Sequence, residues 1–111
     1  AYWAKNRTRD VISQSMNNSL VFGVYDNERQ IGLARVVTDY ATFAWLCDVF
    51  ILEEFRGRGI SKWLMETILA HPELQGLRRF LLATRDAHEL YTRYGFTPLH
   101  NPSRWMEKFD G

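Results

Sequence analysis

Arg56, Gly57, Arg58, Gly59, Ile60 and Ser61 run consecutively after an apolar stretch and before a segment with helical spacing. Glycines placed there let the backbone turn sharply at the end of a strand and expose successive N–H groups. A helix that starts at such a turn has no intrahelical acceptors for its first N–H groups, and its dipole favours an anion. The stretch therefore predicts a cradle for a phosphate, with Arg56, Arg58 and Lys62 adding local positive charge. It is not the dinucleotide fingerprint, because Lys62 stands where a third glycine would fall. Nor is it a P-loop, since no Gly-Lys-Ser/Thr follows. A tight strand-to-helix turn with solvated arginines is the plain alternative.

The flanking elements must position that turn. Residues 2–16 hold neither Gly nor Pro, and Ala4, Val11, Ile12 and Met16 predict a helix ending near Asn17 and Asn18. "SLVFGVY", "QIGLARVV" and "TFAWLCDVFIL" predict three strands joined by short connections, hence an antiparallel meander. Ile60, Trp63, Leu64 and Ile68 share one face of a helix closed by Pro72 and Gly76. "RRFLLAT" predicts a strand buried on both faces. Strand, helix and strand from Thr42 to Thr84 form a crossover, which makes the two strands parallel neighbours. Asp86 and Glu89 have capping-box spacing for a helix to about Tyr94, ended by Gly95. Short strands are expected at Phe96–Thr97 and in "RWMEKF". The class is α+β: a mixed, mostly antiparallel sheet flanked by helices.

Composition narrows the function. A chain of 111 residues fits one domain spanning 1–111, and a net charge of +1 argues against a general nucleic-acid binder. One cysteine, Cys47, forms no internal disulfide and points to a reducing, cytoplasmic setting. No apolar run approaches a membrane span and no signal peptide is apparent, so no membrane partner is expected. His71, His88 and His100 sit at no recurrent ligand spacing, and no metal is expected.

"VFILEEFRGRGIS" resembles the acyl-CoA signature of the GNAT superfamily of N-acyltransferases, R/Q-x-x-G-x-G/A, with Ser61 in place of the last small residue. "DAHELYTRYGF" is similar to a second element of that family, A-x-x-L-Y-x-x-x-G-F. The two motifs stand in the family's order, and the resemblance covers about Ser19 to Phe109. One feature departs: the family usually opens with a strand, and almost nothing precedes Tyr2 here. The usual first strand is thus expected to be lost or trimmed here, or supplied by a partner, and the open sheet edge is one that a homodimer would cover. Tyr2 and Trp3 are expected near the acceptor pocket or a dimer contact.

The resemblance implies direct acetyl transfer from acetyl-CoA to a primary amine of a small molecule or peptide, in a ternary complex and without metal. Such a site must deprotonate an alkyl amine, offer a donor to the thioester carbonyl and protonate the departing thiolate. Backbone N–H groups at Val49, Phe50 and Ile51 are expected along the pantetheine, at a gap the family leaves beside this strand. Those of Arg58 to Ser61 would take the pyrophosphate. Tyr91, four residues before Gly95, stands at the family's tyrosine position as general acid, with Tyr94 as its rival. Asp48 interrupts an apolar run and by strict alternation shares a face with Leu46, Phe50 and Leu52. It is a candidate base or amine-orienting anion, or else a carboxylate paired with an arginine. Cys47 lacks an evident histidine partner for nucleophilic work. An alternative in another class is a catalytically inactive CoA-binding sensor or partner-binding module of the same fold.

Overall fold

The computed structural model describes residues 9–111. Element order is α1 (Arg9–Asn17), β1 (Leu20–Asp26), β2 (Arg29–Thr38), β3 (Phe43–Ile51), α2 (Ile60–Ala70), β4 (Arg79–Leu82) and α3 (His88–Thr92), with single 3-10 turns between and after them. The expected part of the first helix before Arg9, with Tyr2 and Trp3, lies outside the described residues. Among the described residues, no helix is long and apolar enough to cross a membrane.

The sheet has four strands in the order β1-β2-β3-β4. β1 pairs antiparallel with β2, β2 antiparallel with β3, and β3 parallel with β4. The meander and the crossover are thus as the sequence predicts, and the fold is α+β. Leu20, Phe22 and Val24 of β1 stand opposite Val36, Ala34 and Gly32, and this row faces the core. α2 covers it with Leu64, Met65 and Ile68, all at most 2% exposed. Burying each such side chain contributes roughly 1.5–3 kcal/mol. Trp63, expected on that stripe, is 56% exposed; Met65 takes its place, because the buried stripe is set by Leu64 and Ile68 one turn apart.

Several expectations fail at the C-terminal side. β4 is only half-buried and begins with an exposed Arg79, so it is not covered on both faces. Neither Phe96–Thr97 nor "RWMEKF" (104–109) forms a strand, since Arg104 belongs to a 3-10 turn and no backbone ladder reaches the rest. α3 lacks the capping box. Its N-cap is Ala87, which caps with no side chain, and the Thr84 hydroxyl instead accepts the Ala87 N–H at 3.1 Å. Its end follows the sequence well. Gly95 (φ 92°) lets its own N–H reach Thr92 O and the Phe96 N–H reach Tyr91 O, the paired bonds of a Schellman motif.

Candidate active site

The site begins where two parallel strands part. β3 and β4 are in register from Phe43↔Arg79 to Leu46↔Leu82 and no further, while β3 stays paired with β2 as far as Ile51↔Gly32. From Cys47 to Ile51, the β3 edge turned toward β4 therefore offers backbone groups with no strand beside them. A cleft of about 600 Å³ opens there. Val49, Phe50 and Ile51 line one wall, Thr84 and Tyr91 the other, and Arg56 and Ser61 one end.

A bulge shapes the β3 wall. Val36 is opposite Leu46 but Arg35 is opposite Asp48, so Cys47 is the extra residue. Alternation therefore breaks at Cys47, and Asp48 lies on the face opposite Leu46, contrary to strict alternation. It faces Arg35, and Arg35 Nε donates to Asp48 Oδ2 at 2.7 Å with both side chains at most 10% exposed. Arg35 Nη1 also donates to Ser19 Oγ at 3.0 Å. Asp48 is thus the arginine-paired carboxylate, and it does not line the cleft. The Cys47 thiol points back to Arg35 O at 3.5 Å. Burial, countered by Arg35 and reinforced by Asp48, raises its pKa above the ordinary thiol value, which disfavours a thiolate nucleophile.

The glycine turn stands at the cleft's end. A 3-10 turn, Glu53–Phe55, intervenes between β3 and the turn, a piece that the sequence reading did not separate. Gly57 and Gly59 both take φ 79°, the left-handed region that a side chain strains, and the space beyond each is open. Gly59 is the N-cap of α2, and the first α-helical bond there runs from Trp63 N–H to Gly59 O. The amides of Ile60 and Ser61 thus start a helix whose dipole points positive toward the turn. Arg56 folds back, its Nε donating to Ile51 O at 2.9 Å, with its guanidinium 6.0 Å from the Phe50 ring centre. Arg58 stacks on Phe55 at 5.1 Å. Lys62 is exposed and, with Gly57, Arg58, Gly59 and Ile60, is not part of the cleft wall.

The two tyrosines separate cleanly. Tyr91 lines the cleft and meets the Phe96 ring edge-on, centroids 5.9 Å apart. Tyr94 turns to α2, its hydroxyl donating to Lys62 O at 3.3 Å and lying 3.5 Å from Glu66 Oε1. Loss of solvent and the Glu66 carboxylate raise the Tyr94 pKa. Sequence reasoning missed the Ala83–Ala87 loop as a cleft wall. The only signal for it was position, directly after a strand that the family motif follows.

A mixed sheet splayed between its two parallel strands, with a glycine turn at the foot of the splay, is the architecture of the acyltransferase class that the two motifs resemble. The chain belongs to the GNAT family of acetyltransferases: the family model for the acetyltransferase (GNAT) domain matches residues 17–98. A crystal structure of a GNAT-family protein from Xanthomonas campestris pv. campestris is 54% identical, with a TM-score of 0.94 over 99% of this chain and 78% of that one. A GNAT-family acetyltransferase from Elizabethkingia anophelis, solved with acetyl-CoA bound, shares the fold at a TM-score of 0.69 and 15% identity, over 96% of this chain and 75% of that one. FG08082 of Gibberella zeae, a curated relative that carries an acetyltransferase name, is 31% identical over 81% of this chain. The match spans 62% of that relative's length.

Proposed function

We propose that this protein transfers an acetyl group from acetyl-CoA to a primary amine of a small molecule or peptide, directly and within a ternary complex. The observation that carries the reading is the continuity of one cleft from Tyr91, along Val49 to Ile51, to Ser61 at the glycine turn. The chain fits the cosubstrate: a slot with open strand backbone suits amide-bearing pantetheine, and an open left-handed turn at a helix start suits pyrophosphate. Acetyl-CoA supplies the activated acyl group as a thioester.

The chain's own residues do the rest. Backbone N–H groups among Val49 to Ile51 hold the pantetheine and stabilise negative charge developing on the carbonyl oxygen. Amides from Arg58 to Ser61 hold the pyrophosphate, with Arg56 beside them. Lys62, exposed, adds charge at longer range. Tyr91 Oη gives its proton to the departing sulfur, as a phenol can at neutral pH. Asp48, fixed by Arg35, holds the bulge rather than removing the amine's proton. That proton passes to solvent in the cleft.

The test is a thermal shift with acetyl-CoA, CoA, ATP and NAD compared, followed by turnover with a panel of amines. A ligand at a hundred times its dissociation constant stabilises by about 2.7 kcal/mol. Stabilisation by acetyl-CoA with CoA release in the presence of an amine supports the reading. Binding without any turnover across the panel would make the protein a CoA-binding module.

A further inference from the structure

We propose that Phe55 is a positioning residue: its ring, with Arg29 and Arg58 drawn onto it, sets the glycine turn for the pyrophosphate before acetyl-CoA arrives. The proposal rests on the acetyl-transfer reading for the identity of the ligand, and it adds a residue just outside the acyl-CoA signature. The turn needs setting. Gly57 and Gly59 both sit at φ 79° with open space beyond them, and glycine has the widest backbone freedom of any residue. Among the described residues, Gly57 and Arg58 make no hydrogen bond that would hold this shape. The bonded chain stops on either side, where the Arg56 N–H donates to Glu53 O and the Trp63 N–H to Gly59 O, each at 3.1 Å. A turn left free between those bonds would have to be ordered on binding, and affinity would fall by that cost.

A side-chain stack spans the gap. The Arg58 guanidinium lies over the Phe55 ring at 5.1 Å, so the residue between the two glycines is tied to the 3-10 turn before them. Phe55 is itself anchored, half-buried against the core and with its N–H donating to Leu52 O at 2.9 Å. The guanidinium of Arg29, the first residue of β2, lies over the same ring at 5.6 Å and donates to Glu54 Oε1 at 2.8 Å. β2 runs alongside this piece of chain, since the Leu52 N–H donates to Ile31 O at 2.8 Å. The sheet's second strand thus reaches the turn through one aromatic ring.

Each contact is weak alone, as cation–π pairs and ion pairs at the surface are. All of them converge on Phe55 or on the residue before it, so removing the ring releases them together. Charge adds a second effect. Glu53 and Glu54 stand just before a turn that must take an anion, and Arg29 offsets the Glu54 carboxylate. Arg58 then holds the turn through its guanidinium and leaves its amide to the phosphate.

Calorimetric titration and hydrogen exchange of the full chain test it. Phe55→Leu removes the aromatic face and keeps an apolar side chain, whereas Phe55→Tyr keeps the face. Phe55→Leu should weaken acetyl-CoA binding about five- to tenfold, and Phe55→Tyr should bind as the wild type does. S-acetylpantetheine, which lacks the pyrophosphate, should not distinguish the wild type from Phe55→Leu. Without any ligand, the Arg56 and Trp63 amides of Phe55→Leu should exchange several times faster, while those of Met65 and Ile68 keep wild-type rates. Unchanged acetyl-CoA affinity in Phe55→Leu overturns the proposal, as does an equal loss for both ligands or an equal loss in Phe55→Tyr. So do Arg56 and Trp63 amides that keep the wild-type rate. A wild-type chain that binds no acetyl-CoA, yet shows the exchange difference against Phe55→Leu, sinks the acetyl-transfer reading and still supports the ring's hold on the turn.

Discussion

Arg35 and Asp48 pair at 2.7 Å because the bulge at Cys47 moves Asp48 into the place opposite Arg35. In an unbulged register of the same sequence, Cys47 would face Arg35 and the carboxylate would fall on the core side of the sheet. The bulge and the ion pair thus support each other, and both stand where β3 leaves β4 and the cleft begins.

Asp48→Ala should therefore destabilise the protein by about 3–5 kcal/mol, because it leaves the Arg35 guanidinium buried and unpaired. Replacing the pair together, Arg35→Met with Asp48→Leu, should recover most of that loss. Urea denaturation of the three variants measures both effects. A loss under about 1 kcal/mol for Asp48→Ala would show that water reaches Arg35 freely.

Gly59→Val should abolish acetyl-CoA binding while the sheet stays folded. At φ 79° a β-branched side chain is strained by roughly 1–2 kcal/mol, and the turn must shift to relieve it. Calorimetric titration of acetyl-CoA alongside a thermal melt reads both quantities. Retained affinity would put the phosphate site elsewhere.

Tyr91→Phe should lower kcat on the order of a hundredfold with acetyl-CoA affinity nearly unchanged, since the lost proton transfer belongs to the transition state. Tyr94→Phe is the comparison. Its hydroxyl is engaged with α2, so turnover should persist with only a small change in stability. Full turnover by Tyr91→Phe would leave protonation of the thiolate to water.

The β2–β3 connection should carry an acid-sensitive part of the stability. Asp39 accepts from the N–H groups of Ala41, Thr42 and Phe43 and from the Thr42 hydroxyl. The Thr42 hydroxyl leads the N–H groups in holding its pKa well below the usual carboxylate range. A folded-state pKa below the unfolded value of about 3.9 adds stability that is complete above that value and lost as pH falls below it. Denaturation midpoints of wild type and Asp39→Asn, compared from about pH 6 down to pH 2, should converge toward the acid end. Parallel profiles would show that Asp39 is not linked to folding.

Local pattern determined much of this protein. Alternation and turn residues specified the three-strand meander, the apolar stripe specified α2, and two glycine-bearing motifs marked the turn at Gly57–Gly59 and the end of α3 at Gly95. These are legible because each depends on backbone preferences or on periods within a few residues. The tertiary structure decided what depends on partners distant in the chain. The bulge at Cys47 arises only from pairing with β2, so strict alternation put Asp48 on the wrong face. The family motif singles out Tyr91, but that its rival Tyr94 turns its hydroxyl to α2 follows from where that helix lies, which no spacing between the two tyrosines reveals. Residues 105–109 have a strand's sequence but no strand beside them among the described residues, and a strand exists only through the strand it pairs with.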